Sequence, residues 1–326
     1  MASVVVIGSF NVDHVWQCET LPVAGATITG QYVTGPGGKG FNQAIASARA
    51  GADTAFICAL GDDPGGALAR ALATTNAIDL HAQPSTDPTG TAGIYVDARG
   101  RNSIVIGTGA NAALSVEFVE AQRALVAGSS VVLAQLESPV DSVLAALRVA
   151  RENSACTTLL NPAPANATTS IELLMLADVL TPNETEFSAM VSRHVGERIE
   201  PDDVAACDGT RLHALCRELM QHGTVVVTLG AAGVFVSHPE ESILDGGKSF
   251  YRIGAESVSV VDTTGAGDAF SGALAASLAT QPPLAFSDHV RFANRYAALS
   301  TEHAGAALAM PDGEAVARRF PDPSGA

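Results

Sequence analysis

The apolar positions of this chain follow two rhythms in turn. Short β-branched runs such as "SVVVIG", "DTAFICALG" and "TVVVTLG" read as buried strands. Between them lie Ala-rich stretches with apolar residues three and four apart: "FNQAIASARAG", ending at Gly51, "GGALARALATT" and "VDSVLAALRVARENS". These read as helices. "SVVLAQLE", "TTLLNPAP" and "DVLTPN" add strands whose far ends carry polar residues. Strand and helix alternate over most of the length, which predicts a three-layer α/β/α fold with a mainly parallel central sheet and ligands gathered at the carboxyl ends of its strands.

Two stretches break the rhythm. "ATITGQYVTGP" and "AGIYVDARGRNSIVIGTG" are strand-like, with Gly-containing turns and no helix between their halves. They predict a small projecting β-sheet built from segments at about 14–36 and 93–108, placed to act as a lid over the strand ends. Residues 1–320 otherwise read as a single domain, and "PDPSGA", residues 321–326, as a frayed tail.

Composition narrows the class. The chain has 326 residues, 47% of them hydrophobic and 16% charged, and no apolar run reaches the ~18 residues of a membrane span. "MASVVVIGSF" lacks the basic start and cleavage pattern of a secretory signal. Cys18, Cys58, Cys156, Cys207 and Cys216 are odd in number and scattered, which argues against a disulfide framework or zinc site and for a reducing cytoplasm. A formal net charge of −16 disfavours nucleic acid or an anionic membrane as partner. An anionic substrate must therefore be held by local amides, helix termini or a metal. Only two of the 18 basic residues are lysines, Lys39 and Lys248.

Five stretches carry candidate chemistry. Gly35, Gly37 and Gly40 in "GPGGKG" satisfy G-x-G-x-x-G, but the strand before them belongs to the lid stretch and not to a βαβ unit. The better reading is a close-approach loop, with Lys39 and Asn42 as polar contacts for a neutral ligand. "GSFNVDH" places Asn11 and Asp13 at the end of the first strand. A carboxylate can accept from two vicinal hydroxyls and an amide both donates and accepts, so the pair suits a sugar; an Asx turn explains it equally well. Glu137, after "VLAQL", is a second acidic strand-end residue. "TPNETEF" reads as a capping box between Asn183 and Glu186, or as an outer-shell network for Mg²⁺ near nucleotide phosphates. "TLGAAG", Thr228 to Gly233, is a glycine turn that accepts a nucleotide or simply leads a hairpin into "VFVSH".

The fifth is "DTTGAGD", Asp262 to Asp268. "ESVSVV" before it is strand-like, and "DAFSGALAASLA" after it sets Phe270, Ala273, Leu274, Ser277 and Leu278 at helical spacing. The glycines thus fall at a helix N-terminus, where free amides and the helix dipole make an anion site. Asp268 is then either a first-turn acid favoured by the dipole or a general base beside a bound phosphate. The chain contains no G-x-x-x-x-G-K-[ST] and no G-x-S-x-G, which excludes a Walker loop and weakens a serine hydrolase.

Taken together, "GSFNVDH", "GGKGFNQA", "GDD", "GANAALS", "QLESP", "NPAPA", "TPNETE", "TLGAAGV" and "DTTGAGDAF" stand in the order and spacing of the ribokinase-like, phosphofructokinase B-type carbohydrate kinases. The chain resembles that family from about Val4 to Pro311. The resemblance implies the ribokinase-like fold and ATP-dependent phosphorylation of D-ribose at O5, or of another small sugar or a nucleoside such as deoxyribose, fructose or adenosine. Asn11, Asp13, Gly38, Lys39, Gly40, Asn42 and Glu137 would hold the sugar. Asn183, Thr228, Gly230, Gly233, Gly267 and Asn294 would hold ATP, with Glu186 supporting Mg²⁺ through water. Gly265, Ala266 and Gly267 would form the anion hole, and Asp268 would be the base. A potassium ion would lie at Asp262, Thr264, Ser300, His303, Gly305 and Ala309. Two positions depart from the family: Asn294 replaces a histidine near the adenine in some members, and Ala309 replaces a hydroxyl residue at the ion. The resemblance further implies a cytoplasmic enzyme that pairs through its lids into a homodimer.

Overall fold

A computed structural model describes residues 3–240 and 244–321, so 322–326 of the expected tail lie outside the described residues. The larger sheet contains Val4–Ile7 (β1). The chain then enters a second sheet through Asn11–Gln17 (β2) and Gln31–Gly37 (β3), and returns to the first with Thr54–Gly61 (β4) and Asp79–Ser85 (β5). Gly90–Val96 (β6) and Asn102–Gly107 (β7) complete the second sheet. Val131–Ala134 (β8), Thr157–Leu160 (β9), Val179–Leu180 (β10), Thr224–Thr228 (β11), Val234–Ser237 (β12) and Phe250–Ile253 (β13) complete the first.

Among the described residues the large sheet has nine strands in the order β13-β12-β11-β10-β9-β8-β1-β4-β5. It is parallel from β11 to β5, with antiparallel β12 and β13 at one edge. The continuous apolar run "VVVI" of β1 is explained by burial on both faces. Val5 and Ile7 join one core layer with Val143, Leu144 and Leu147 of the helix Val140–Ala150. Val4 and Val6 join the other, with Phe41 and Ile45 of the helix Lys39–Arg49 and Phe270 and Ala273 of the helix Ala266–Thr280. Helices therefore cover both faces, and among the described residues none is long and apolar enough to cross a membrane.

The small sheet runs β3-β2-β6-β7, with β2 and β6 parallel and both outer pairs antiparallel. Its strands begin at Asn11 and Gly90, a few residues before the segments read as 14–36 and 93–108. Val33, Ile104 and Ile106 are exposed on one of its faces, and Tyr32 and Val105 on the other.

Two local readings are corrected. The first strand ends at Ile7, so Asn11 and Asp13 do not end it: they open β2, in register with Gly37 and Gly35 of β3. "ESVSVV" forms no strand. Its alternation is real, but the segment does not pair with the outer edge of β13. The amides of Val261 and Asp262 bond instead to the carbonyl of Thr301, and Val260 and Val261 stay exposed.

Candidate active site

Two helices meet at Asp268. The helix Lys39–Arg49 starts within one residue of β3, and Gly38 makes that corner with φ 87°, a conformation that suits glycine. Two residues on, Gly40 approaches the end of β1 so closely that a Cβ there would lie 2.6 Å from the amide nitrogen of Ser9. The helix Ala266–Thr280 lies against the first at Gly272, where a Cβ would come within 2.5 Å of the carbonyl oxygen of Gln43. That contact aligns Asn42 and Gln43 with Asp268. Instead of an apolar stripe, the whole run Asp268–Ser277 is buried, because this helix packs against the sheet and against helices on either side.

Asp268 is only 6% exposed. Its Oδ2 accepts from Asn42 Nδ2 at 2.9 Å and its Oδ1 from Gln43 Nε2 at 2.9 Å. Burial raises its carboxyl above the ordinary aspartate range, and this outweighs the opposing pull of Lys39, Asn42 and Gln43. Lys39 sits among Asp268, Glu137 and Glu186. Burial works against its charge, but the three carboxylates outweigh burial and hold its ammonium above the usual lysine range.

Asp13 and Glu137 converge on the same place. Glu137 Oε2 accepts from Ser9 Oγ at 2.6 Å and from the Lys39 amide at 3.0 Å, which fixes the carboxylate against the helix start. Asp13 lies over Gly37, where a Cβ would meet its Oδ2 at 2.2 Å. Its carboxyl is pushed up to about 7, first by burial and then by Glu137 and Asp268. Asn11 is buried, and its Oδ1 is occupied by Asn111 Nδ2 at 2.8 Å. Asn42 Oδ1 and Ser138 Oγ are buried with no hydrogen-bond partner, an arrangement that invites a polar ligand.

A neutral Asp13 must lose its proton to act as a pure acceptor. The folded value lies above the unfolded one, so its charge reduces stability as pH rises towards and through about 7. Asp13→Asn is therefore expected to raise the melting temperature by a few degrees at pH 8 and to change it little at pH 4. Thermal melts at the two pH values check this. An equal effect at both would remove the assignment.

Lys39, Asn183, Glu186, Thr228, Gly265, Ala266, Gly267 and Asp268 line one cleft of about 210 Å³. The capping box is real: Asn183 Oδ1 accepts from the Glu186 amide and Glu186 Oε2 from the Asn183 amide, each at 2.9 Å. It does not compete with the ligand reading, because the same two residues also face the cleft. Burial raises the Glu186 carboxyl, opposed by the Asn183 amide and Lys39 and reinforced by Asp268. "TLGAAG" is likewise both things: Thr228 lines the cleft, while a short 3-10 turn over Gly230–Ala232 leads the chain into antiparallel β12. Gly233 closes that turn at φ 87°. Asn294 stands outside the cleft lining, with Nδ2 donating to the Gly254 carbonyl at 2.8 Å.

Behind the glycine loop, Asp262 Oδ1 accepts from the amide and hydroxyl of Thr264, and Oδ2 accepts from the Gly305 amide at 2.9 Å. Burial would raise this carboxyl, but those bonds prevail and hold it below the ordinary range. Gly265 touches the same segment, since a Cβ on it would lie 2.9 Å from that of Ala306. Ser300 and His303 share a turn, the His303 amide donating to the Ser300 carbonyl, and Ala309 ends a 3-10 turn. The imidazole of His303 and Ala309 line a larger surface depression of about 760 Å³, which holds none of the residues around Asp268.

Gln43, Gln135, Asn161 and Thr181 belong to the site and were not singled out from the sequence. Gln135, Asn161 and Thr181 each stand one residue past a strand, β8, β9 and β10, in "LAQLE", "LLNPA" and "VLTPN". The signal was the polar residue directly after a buried strand, recurring three times at the end of the sheet where ligands bind.

Comparison with known proteins bears on the family and the fold. The pfkB family carbohydrate kinase profile matches residues 1–313. The chain is 38% identical over 309 residues to the ribokinase of Haemophilus influenzae, covering 94% of both chains. Its fold is similar to that of the ribokinase from Giardia lamblia, with a TM-score of 0.84, 28% identity and 98% of each chain covered. It is also similar to Arabidopsis thaliana ribokinase complexed with ribose and ATP, with a TM-score of 0.80, 29% identity and coverage of 97% of this chain and 98% of that one.

Proposed function

This chain belongs to the pfkB family of carbohydrate kinases, and on that premise we propose that it transfers the γ-phosphoryl group of ATP to O5 of D-ribose, giving D-ribose 5-phosphate and ADP. One observation carries the reading: a buried carboxylate, Asp268, lines the same cleft as the helix N-terminus formed by Gly265, Ala266 and Gly267. Phosphoryl transfer is mostly positioning and electrostatic stabilisation. The glycine-loop amides and helix dipole stabilise charge on the transferring group, and Asp268 takes the proton of the attacking hydroxyl. Its raised proton affinity, caused chiefly by burial, suits that task.

Asp13, Glu137, Asn11 and Asn42, with the Gly38–Gly40 corner, hold the sugar. Asn183, Thr228 and the Gly230–Gly233 turn hold the nucleotide, with Asn294 at its base end. Glu186 suits an outer-shell role towards Mg²⁺, because it is a buried carboxylate on the cleft wall whose charge needs a cation nearby. The metal supplies neutralisation of phosphate charge when bound. Asp262 suits a monovalent cation: hydrogen bonds from Thr264 and Gly305 keep it ionised beside the Ser300–Ala309 segment, whose carbonyls would supply the remaining oxygens. Such an ion would stiffen the wall shared with Gly265. The free cysteines fit the cytoplasm, and the exposed apolar side chains on the small sheet fit pairing of two lids into a homodimer, to be checked by sedimentation at micromolar concentration.

An ADP-release assay across a panel of pentoses, hexoses and nucleosides, with and without K⁺, tests the activity. Fastest release is expected with D-ribose, and stimulation by K⁺. Release with no sugar acceptor above background would overturn the reading.

A further inference from the structure

Gln43 is fully buried and does not line the cleft, yet one of its amide hydrogens reaches Asp268 Oδ1. A carboxamide can in principle be reversed to present oxygen instead. Here its sense follows from a fixed point. The backbone carbonyl of Thr181 can only accept, so Asn161 turns Nδ2 towards it at 2.8 Å and Oδ1 towards Gln43. Gln43 must then present Nε2, donating one hydrogen to Asn161 Oδ1 at 3.0 Å and the other to Asp268 Oδ1. Its Oε1 accepts from Gln135 Nε2 at 2.5 Å, and the chain ends there, with Gln135 Oε1 buried and unpartnered. Reversing any member would set two acceptors or two donors against each other and leave buried polar groups unsatisfied.

Asn42 lacks such an anchor. Its Nδ2 donates to Asp268 Oδ2, while its buried Oδ1 has no partner. The two oxygens of Asp268 are therefore held differently, one by an amide of fixed sense and the other by an amide free to turn over.

We infer that Gln43 is a positioning residue that keeps Asp268 Oδ1 as a permanent acceptor and so directs the proton of the sugar hydroxyl to Oδ2, where Asn42 turns its amide to accept the new O–H. The inference rests on the kinase reading of Asp268. In the step it describes, the hydroxyl O–H bond breaks and its electron pair forms the bond to the γ-phosphorus. The bond from that phosphorus to the ADP oxygen breaks with its pair leaving on ADP, and the proton ends on Oδ2.

Asp268 is also faced by Lys39 from the helix of Gln43, Glu137 from the segment after β8, Glu186 from the helix Glu184–Met190 and Asp13 from β2. All four remain in Gln43→Met, which keeps the side-chain length and removes only the amide. Losing a donor to the charged form favours the protonated one, so the acidic limb of the kcat–pH profile is expected to move up by about one pH unit. On that limb kcat falls about tenfold at a given pH, while KM for ribose and ATP stays within twofold. Asn161→Leu, which cuts the anchor and leaves Gln43 in place, shifts the limb the same way by less. A ¹³C-carboxyl titration of Asp268, its resonance identified by its loss in Asp268→Asn, gives the same midpoint shift without turnover. A limb and midpoint unmoved in whichever of these variants folds would overturn the inference and leave the kinase reading standing. A wild-type protein inactive on every sugar, with the midpoint shift intact, would instead sink the kinase reading and keep the hold on Oδ1.

Discussion

Asp268→Asn is expected to lower kcat by about 10²–10⁴-fold, the range that positioned base catalysis contributes, while KM for sugar and ATP changes little. The variant should fold, because the site can receive an amide. Gln43 keeps donating to the oxygen of residue 268, whose new NH₂ group then faces Asn42, and Asn42 can offer its unpartnered Oδ1 in return. Removing a buried carboxyl whose charged form is disfavoured should leave stability equal or improved at neutral pH. Steady-state kinetics with a thermal melt on the same sample separates the cases. Near wild-type turnover would take the base role away from Asp268, and a lowered melting temperature would show that the loss is structural.

The second large effect is remote from the cleft lining. Gly272→Val places a Cβ within 2.5 Å of the Gln43 carbonyl and 2.6 Å of Ala46 Cβ, so the helices Ala266–Thr280 and Lys39–Arg49 must separate. Overpacking of this kind typically costs about 1–3 kcal/mol. The greater loss is in catalysis, because the hydrogen bonds of Asn42 and Gln43 to Asp268 cross that same seam. A misplacement near 1 Å can cost about 10²-fold in rate. Gly272→Val is expected to lose about that much kcat along with several degrees of melting temperature. Adding Ala46→Gly should not restore activity, since the closer obstacle is main-chain oxygen. Recovery in the double variant would show that the seam is not what sets Asp268.

The layered sheet was legible because β1, β4, β8 and β11 are short, continuously apolar and separated by helical spacing, a pattern that burial on both faces enforces. The glycine loop and Asp268 were legible because the backbone needs there, a positive φ at Gly265 and an exposed helix N-terminus, leave a local imprint. "TPNETEF" offered a cap and a ligand role as alternatives, whereas one carboxylate can serve the cap with one oxygen and still line the cleft. The chain of Gln43, Gln135, Asn161 and Thr181 was not legible, because its four members come from four separate elements and only the fold aligns their amides. Asn11 and Asp13 were found as residues but placed on the wrong strand: "GSF" looks like the end of β1, and only the pairing of β2 with β3 and β6 shows that the chain has already changed sheets.

That change of sheets bears on how the protein chooses its substrate. Asp13 belongs to the small sheet, whereas Glu137 and Asp268 belong to the body of the large one. On the proposed reading, a sugar held by all three would span two separately built surfaces and tie them together with its own hydroxyls. A molecule missing a hydroxyl on one side would leave that tie unmade, and the loss would fall on turnover as well as affinity if the acceptor itself draws the small sheet over the γ-phosphate. ATP alone would lack that tie, so on the same reading futile hydrolysis would be held down by the position of one aspartate on the far side of a three-residue crossing, Gly8 to Phe10.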